Sequence, residues 1–332
     1  MDDHLVQQHR NALDMQPSNS RATRPAILIL SSMVSDGSVG GRLACFALER
    51  LGFPVWFIPT AHLPRHPGRT PSVRTNTSPD YLQGCLKDLS ELARTQPIAA
   101  VLTGYMGDAQ QIDIIADAIS NLKAAHPDLL YLCDPVLGDD DQLYVAEATA
   151  HAMREKLWPL CDVATPNRFE LCWLEGATGQ SVTTAPALAD LARHAAPHCI
   201  AVTSVAGLMK GHIGNLLTTP DTSAILFEHL AMPHAPHGTG DLFAALLLGH
   251  YLLSGNWEKA TERASAALFE LTARAAKSGL HDLPLIAEQV SLERPMASVS
   301  KRQITTTQSG SRTAPPAEQK GKRPVLKPSP LT

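Results

Sequence analysis

The feature that most constrains the fold is a repeated alternation between short apolar runs and amphipathic stretches of helical length. The apolar runs, such as AILILS at 26–31 and CIAVTS at 199–204, have the length of buried strands. Between them come stretches with helical spacing, such as GGRLACFALERLG at 40–52. Repeated strand–helix units predict an α/β fold with a mostly parallel sheet and helices on both faces.

The later part of the chain adds elements of a different kind. The runs HIGNLLTT and SAILFEHL, joined by PDT, predict an antiparallel hairpin at the sheet edge. Two helices, at 239–254 and 257–277, close the domain. The boundaries that follow are a polar leader at 1–24, one folded domain at 25–290 and a tail at 291–332.

The tail is rich in Ser, Thr, Pro and basic residues, with eight Lys or Arg against two Glu from 291 to 332. Such a composition predicts a disordered segment, because it cannot bury enough apolar surface to offset the entropy of ordering. A basic tail also suits contact with nucleic acid or a protein partner, and the sequence leaves that alternative open.

Composition excludes several classes of protein. The net charge of −4 gives no general basic field for binding nucleic acid. The six cysteines form no CxxC pair, which predicts a reducing, cytoplasmic environment without disulfides or a zinc framework. The leader has no apolar segment typical of a signal peptide, and no stretch reaches 18 apolar residues, so we expect no membrane span.

Polar residues stand where the predicted strands end, and ligands bind at that edge of a parallel sheet. The sequence contains neither GxxxxGK[ST] nor GxGxxG, so neither common nucleotide fingerprint is indicated. The polar residues at the strand ends include Ser31, Ser32, Asp134, Asp139, Thr165, Asn167, Glu170, Thr203 and Ser204.

The motif GTGD at 238–241 runs directly into an apolar helix. Glycines at a helix start leave backbone N–H groups free to converge on an anion, and the helix dipole favours negative charge there. Asp241 in the first turn could simply stabilise the helix. It could also accept a proton from a hydroxyl group that attacks a phosphoryl group held by the N–H groups.

Phosphoryl transfer requires Mg²⁺, which prefers oxygen ligands. Asp134, Asp139 and Glu170 supply carboxylates at neighbouring strand ends. Asn167 and Glu170 lie three residues apart, on one face of a first helical turn. Asn167 could equally serve as a helix cap, and Asp134 before Pro135 could equally end a strand in a turn.

These motifs resemble the ribokinase-like superfamily and, within it, the pyridoxal kinases, over about residues 26–280. VLTGY, YLCDPVLGD, TPNRFE, VTS and GTGDLFAALLL occur in the family's order and spacing. The resemblance implies transfer of the γ-phosphate of ATP to the 5′-hydroxymethyl group of pyridoxal, and often of pyridoxine and pyridoxamine, in vitamin B6 salvage. It implies Mg²⁺ and a cytoplasmic homodimer, with no nucleic-acid or membrane partner, and leaves a monovalent cation open.

The resemblance also implies residue roles. Asp241 matches the catalytic base, beside the substrate, and Gly238, Thr239 and Gly240 match the anion hole. Ser32 matches the serine that hydrogen-bonds the pyridine ring. The residues matching the nucleotide side are Asp134, Tyr144, Asn167, Glu170, Thr203, Ser204, Met232, Pro233, His234 and Thr239. The residues matching the metal side are Asp134, Asp139, Thr165 and Glu170.

The chain departs from the family at two positions. Gly41 stands where the family commonly has Asn, and Pro67 stands where better-known members have a substrate-contacting Thr. Pro67 has neither an N–H nor a hydroxyl group, so the substrate contact of this loop changes. His66 matches a family His and could compensate, or it could be an ordinary surface His. We expect the loop at 60–80 to form part of a substrate cover.

Two other functions fit parts of the same sequence. A hydroxymethylpyrimidine kinase shares the fold, and the pocket around Ser32 and the PRHP loop would decide between the two substrates. A non-catalytic B6-binding protein is the other alternative. Retention of GTGD, DPVLGD and TPNRFE together argues against it, because a catalytically dead relative should have lost Asp241 or a glycine of the anion hole.

Overall fold

The computed structural model describes residues 24–68, 72–139, 142–177, 182–220 and 222–305. The strands are β1 (Ala26–Asp36), β2 (Val55–Arg65), β3 (Thr75–Asn76), β4 (Ile98–Thr103), β5 (Leu130–Cys133), β6 (Gly138–Asp139), β7 (Gln142–Leu143), β8 (Val163–Ala164), β9 (Cys199–Ala206), β10 (His212–Thr219), β11 (Thr222–Leu230) and β12 (Ser300–Ile304). The α-helices are α1 (Gly40–Arg50), α2 (Pro79–Leu92), α3 (Ala109–Ala125), α4 (Glu147–Ala152), α5 (Arg168–Leu174), α6 (Ala185–His194), α7 (Thr239–Ser254), α8 (Trp257–Ser278) and α9 (Gln289–Glu293).

The main sheet has ten strands in the order β12-β11-β10-β9-β8-β5-β4-β1-β2-β3. The strands from β2 to β9 in this order pair in parallel. The strands beyond them, β10, β11 and β12 on one side and β3 on the other, pair antiparallel. The predicted mostly parallel α/β sheet is confirmed.

Alternation along the strands divides the core into two layers. On β1, Leu28 and Leu30 face one layer, which includes Leu82 of α2 and Ile112 of α3. Ile27 and Ile29 face the other layer, with α1, α7 and α8. Successive side chains of a strand point to opposite faces, so an uninterrupted apolar run serves both layers.

The helix starts follow from local chemistry. The side chains of Ser78 and Asp108 cap α2 and α3, accepting the backbone N–H groups of Tyr81 and Gln111. Helix α7 differs, because it has no side-chain cap and its residues from Leu242 to His250 are all buried. Burial on all sides holds the start of α7 rigidly against the sheet.

The predicted tail boundary at 291 is wrong for residues 291–305. Ser291 and Leu292 are buried in α9, and β12 pairs with β11. Few apolar residues are needed there, because the buried carboxylate of Glu270 accepts hydrogen bonds from the Ser291 hydroxyl and from the Met296 and Ala297 N–H groups. Residues 306–332 of the predicted tail and residues 1–23 of the predicted leader lie outside the described residues.

Other predicted elements differ in extent. The hairpin β10–β11 forms, but β12 covers it, so it is not the sheet edge. The predicted substrate cover is partly sheet, because β2 extends to Arg65 and pairs with β3. The stretch VAEATAHAMREKLWP at 145–159 predicts one helix, but it begins as α4 and continues through a π-helical turn and a 3₁₀ turn. Helix α6 has no counterpart among the predicted elements.

Among the residues described, every helix is too short or too polar to span a bilayer.

Candidate active site

Asp241 lies where two helices begin. It belongs to the first turn of α7, and its Oδ2 accepts the backbone N–H of Gly40, the first residue of α1, at 2.9 Å. Burial raises the pKa of the Asp241 carboxyl to about 6, while the Gly40 N–H opposes that increase. The carboxylate therefore caps a neighbouring helix across the cleft while it remains ionised at neutral pH.

The turn at the start of α7, residues 238–241, presents unpaired backbone N–H groups, and we call it the anion turn. Gly238 has φ 88° and ψ 6°, in the left-handed region, and a Cβ there would lie 2.2 Å from the Ser38 carbonyl oxygen. The N–H of Leu242 makes the first helical bond, to the Gly238 carbonyl at 3.0 Å. The N–H groups of Thr239, Gly240 and Asp241 therefore precede the helical ladder, as an anion site requires.

Space at Gly240 supports the same interpretation. A Cβ built on Gly240 would have no heavy atom within 4 Å. The fold itself does not require glycine there, in contrast to Gly238. Gly240 is exposed, so the space beside it is open to a ligand.

Asp134 shares a small pocket with Asp241. The pocket is lined by both carboxylates, by Ser31 and Gly104, and by apolar residues of β1, β4, α1 and α7. The Ser31 hydroxyl is buried and has no hydrogen-bond partner. Sequence reasoning placed Ser31 at a strand end but chose only its neighbour, Ser32, as a site residue. The alternation along β1 was the signal for Ser31, since it continues the Ile27–Ile29 face.

Asp134 is 6% exposed and accepts a hydrogen bond from the Thr165 hydroxyl at 2.9 Å. Burial raises its pKa well above the ordinary value, and the nearby charges of Glu170 and Asp241 add to the increase, while Thr165 opposes it. Asp134, Glu170 and Asp241 therefore form a group of mutually repelling acids at one end of the sheet. The structure brings together four of the predicted site residues here.

Glu170 and Asn167 form a reciprocal capping box at the start of α5. Glu170 Oε1 accepts the Leu137 N–H at 2.8 Å and Oε2 accepts the Asn167 N–H at 2.9 Å. The Asn167 side chain donates to the Gly138 carbonyl at 2.8 Å. Burial raises the pKa of Glu170 to about 7, and the backbone N–H groups oppose the increase. The helix-cap alternative for Asn167 is confirmed, and the pair fixes the segment that follows Asp134.

Asp139 belongs to β6, and Tyr144 directly follows β7. Tyr144 is 56% exposed, and its N–H donates to the Leu137 carbonyl at 3.0 Å. These two predicted residues therefore belong to the rim of the cleft, outside its buried floor.

Thr203 and Ser204 form a bulge in β9. Val202 pairs with Leu216 and Val205 with Gly214, so the two residues between them face one residue of β10. Ser204 has φ 57°, in the left-handed region. Thr203 also bridges Asn167, because its N–H bonds the Pro166 carbonyl at 2.9 Å. The bulge therefore places the backbone of Thr203 against the start of α5.

The predicted substrate side lies across the cleft. A Cβ on Gly40 would lie 2.7 Å from the Ser32 hydroxyl, so Ser32 sits against the start of α1. The His66 ring stacks on His237, which precedes the anion turn, with centroids 4.3 Å apart. Pro67 is exposed beside it. Contact between the PRHP loop and the anion turn was not visible in the sequence.

Gly41 has a packing reason. A Cβ at this position would lie 2.2 Å from the Phe57 ring. The departure from the family's Asn is therefore matched by Phe57 on β2, which fills the space.

Met232, Pro233 and His234 follow β11 and lead toward the anion turn. His234 has φ 54°, in the left-handed region. Among the described residues, no group of three or more His, Cys, Asp or Glu side chains has an arrangement suited to hold a metal ion.

Comparisons with known proteins agree on one group. A family model described as phosphomethylpyrimidine kinase matches residues 75–285. "Pyridoxal kinase PdxY" of Leifsonia xyli subsp. xyli is 33% identical over 266 residues, which are 79% of this chain and 94% of that relative. "Pyridoxine/pyridoxal/pyridoxamine kinase" of Bordetella avium is 35% identical over 251 residues, which are 74% of this chain and 84% of that relative. The structure of pyridoxal kinase from Leishmania donovani with ADP and pyridoxamine has a TM-score of 0.75 and 25% identity, and the match covers 85% of this chain and 100% of that chain.

Proposed function

We infer that this chain, which belongs to the pyridoxal kinase family of ribokinase-like fold, transfers the γ-phosphate of ATP to the 5′-hydroxymethyl group of a vitamin B6 vitamer. The product from pyridoxal is pyridoxal 5′-phosphate. The observation that carries the assignment is the Asp241 carboxylate beside the Gly238 turn, in a chain whose relatives of similar length are pyridoxal kinases.

Asp241 acts as the general base in this proposal. With a pKa of about 6 it is mostly ionised at neutral pH, so it can take the proton of the 5′-hydroxyl as that oxygen attacks the γ-phosphorus. The bond from the γ-phosphorus to the β-phosphate oxygen breaks, and ADP leaves. The N–H groups after Gly238 stabilise the negative charge of the migrating phosphoryl group.

Mg²⁺ is part of the proposal because of the chemistry of the side chains, although among the described residues they form no preformed metal site. Asp134, Asp139, Thr165 and Glu170 offer only oxygen ligands, which Mg²⁺ prefers, and Asp134 and Glu170 are buried acids whose pKa values are raised. The ion would neutralise charge on the phosphates. Since both Glu170 oxygens already accept backbone N–H groups, we propose that Glu170 acts mainly by holding the segment that carries Asp139.

A Mg²⁺ titration tests the role of Glu170. Glu170→Gln removes one acceptor of a backbone N–H, so we expect it to raise the Mg²⁺ and ATP requirements more than the vitamer requirement. An unchanged Mg²⁺ titration would contradict the role.

The substrate and nucleotide lie on opposite sides of Asp241 in this proposal. Ser32, His66 and Pro67 face the vitamer, and Pro67 alters the preference among vitamers because it cannot donate a hydrogen bond. Asp134 supports the phosphates. The remaining residues proposed for the nucleotide side are Tyr144, Asn167, Glu170, Thr203, Ser204, Met232, Pro233, His234 and Thr239.

We also propose a cytoplasmic location and a homodimer. All six cysteines are free thiols, which suits a reducing compartment. The family resemblance supports the dimer.

A coupled assay of ATP consumption with pyridoxal, pyridoxine, pyridoxamine and hydroxymethylpyrimidine tests the function. We expect turnover of at least one vitamer and a product mass increased by one phosphoryl group. The description of the matching family, phosphomethylpyrimidine kinase, favours a substituted pyrimidine as the second candidate substrate, and hydroxymethylpyrimidine tests it. Turnover of hydroxymethylpyrimidine alone would replace the proposal, and vitamer binding without ATP consumption would support a non-catalytic binding protein.

A further inference from the structure

Glu228 of β11 is a buried carboxylate with two different partners. It is 0% exposed, and its Oε1 accepts a hydrogen bond from Arg302 Nε of β12 at 2.9 Å. Its Oε2 accepts the backbone N–H of Leu208 at 2.7 Å and that of Met209 at 3.5 Å. One buried charge thus joins the C-terminal strand to the turn between β9 and β10.

The turn at 207–211 is fitted closely to this carboxylate. A Cβ on Gly207 would lie 2.8 Å from Glu228 Oε2, and the Gly207 N–H closes the turn on the His212 carbonyl at 2.9 Å. Arg302 Nη2 also lies 3.4 Å from Met209 Sδ. Burial acts to raise the pKa of Glu228, but Arg302 and the N–H groups outweigh burial and lower it. The carboxylate stays charged because Arg302 compensates it.

Two segments are proposed to hold the nucleotide, the bulge of β9 and the segment that follows β11, and both connect to the surroundings of Glu228. The turn is the direct continuation of β9, whose bulge holds Thr203 and Ser204. Strand β11 continues two residues beyond Glu228 and then leads to Met232 and His234. A shift of the turn would be transmitted to the bulge through the β9–β10 pairing, because Ala206 pairs with Ile213 and Val205 with Gly214.

We propose that Arg302 is a positioning residue for the nucleotide: through Glu228 it holds the 207–211 turn, and with it Thr203 and Ser204, in the conformation that binds ATP. Strand β12 thereby sets the affinity for ATP, although it contacts no reacting group. This inference rests on the proposed nucleotide side of the kinase.

Steady-state kinetics of Arg302→Ala in the full chain tests the proposal. We expect the KM for ATP to rise about 5- to 30-fold, the range for residues that act on a site through their neighbours. The KM for the vitamer should stay within about twofold, because Ser32 and His66 lie on other elements. A general loss of stability would not separate the two constants in this way.

Lys301→Ala is the matched control. Lys301 is the neighbouring residue of β12 and pairs with Glu258 of α8, where both partners are more than a third exposed. This variant should leave both KM values unchanged, since exposed ion pairs contribute little. Arg302→Lys keeps the positive charge but loses the planar guanidinium group, so the KM for ATP should rise by an intermediate amount. This variant also tests the proposal if Arg302→Ala folds poorly.

The two levels of proposal fail in different ways. If the wild-type chain does not consume ATP in the presence of any of the three vitamers, the proposed function is wrong. If the wild-type chain is active but Arg302→Ala behaves like Lys301→Ala, the positioning role is wrong. Where the alanine variant does not fold, Arg302→Lys takes its place in this comparison. An equal rise in both KM values also overturns it.

Discussion

Two groups of acids in this molecule are opposite in electrostatics, although all their members except the half-buried Asp241 are buried. Glu228 and Glu270, at 0% and 8% exposure, hold the C-terminal segment and accept hydrogen bonds from Arg302 and Arg274 as well as from backbone N–H groups. Although burial acts to raise their pKa values, these donors outweigh it and lower both. The described donors to Asp134, Glu170 and Asp241 are backbone N–H groups and a threonine hydroxyl, and burial raises all three pKa values.

The difference separates acids whose charge an arginine compensates within the fold from acids that have no such cation among their described donors. A buried carboxylate paired with arginine has its charge compensated within the fold, whereas one without a cation gains when a metal ion or a proton arrives. The incomplete compensation of the second group is what supports the proposed site.

Replacing the base should give the largest effect. Asp241→Asn should lower kcat by about 10² to 10⁴, because the amide cannot accept the hydroxyl proton. Ligand affinity should change far less. The melting temperature at pH 8 should stay equal or rise, since a buried charge is removed and the amide oxygen can still accept the Gly40 N–H. Kinetics and thermal unfolding of the same preparation measure both.

Asp80→Asn is the matched control for Asp241→Asn, because Asp80 also stands in the first turn of a helix. It should leave kcat unchanged. A near-normal kcat in Asp241→Asn would mean that Asp241 only caps α1.

Alanine variants of the two glycines in the anion turn test the backbone N–H donors that accompany Asp241. Gly238→Ala should cost about 2 to 4 kcal/mol in the free energy of unfolding, because it forces a left-handed alanine against the Ser38 carbonyl. Gly240→Ala should stabilise the helix by about 0.5 to 1 kcal/mol but lower kcat/KM for ATP about tenfold or more, since its methyl group enters the open space. Denaturant unfolding and kinetics of both variants check this, and full activity of Gly240→Ala would place the phosphoryl group elsewhere.

The two groups of acids should also respond oppositely to pH. Asp241 and Glu170, with pKa values of about 6 and 7, bind more protons in the folded than in the unfolded state above about pH 4. Their effect is that stability falls as the pH rises from 5 to 8. Glu228 and Glu270 have lowered pKa values, so their contribution is present at neutral pH and is lost as the pH falls through those values.

Melting temperatures of the ligand-free protein between pH 5 and pH 8 measure the first effect. Asp241→Asn should flatten the decline, with little difference from wild type at pH 5, where the aspartic acid is mostly protonated. Parallel pH profiles for both proteins would show that Asp241 does not carry a raised pKa.

Deleting the end of the chain should have the smallest effect on activity and stability where the deleted segment has too few apolar residues to fold. Deleting 306–332 should leave kcat and the melting temperature unchanged, because that segment has too few apolar residues to build a core. Deleting 291–332 should lower the melting temperature, because it also removes the buried Ser291, Leu292 and Ile304 and leaves Glu228 without its arginine. Equal stability of the two truncated chains would contradict the structural role of β12.

Much of the site could be predicted residue by residue. Asp134 and Thr165 were expected at neighbouring strand ends and do hydrogen-bond, and GTGD was expected to open a buried helix and does. The reason is local, since parallel strands bring their carboxyl ends to one edge and glycines free the N–H groups of a helix start. The metal, nucleotide and vitamer roles of these residues stay predictions.

The sequence by itself determined the alternation of strands and helices, the mostly parallel sheet and the placement of Asp241 in a first turn, because periodicity, glycines and strand ends act over a few residues. Only the tertiary structure decided that Asp241 caps α1, that Gly41 makes room for Phe57, and that residues beyond 291 complete the sheet. These outcomes depend on contacts between residues up to 201 positions apart, such as Gly40 with Asp241. In the polar segment β12, Arg302 pairs with a carboxylate buried elsewhere in the chain, and no local pattern reports that pairing.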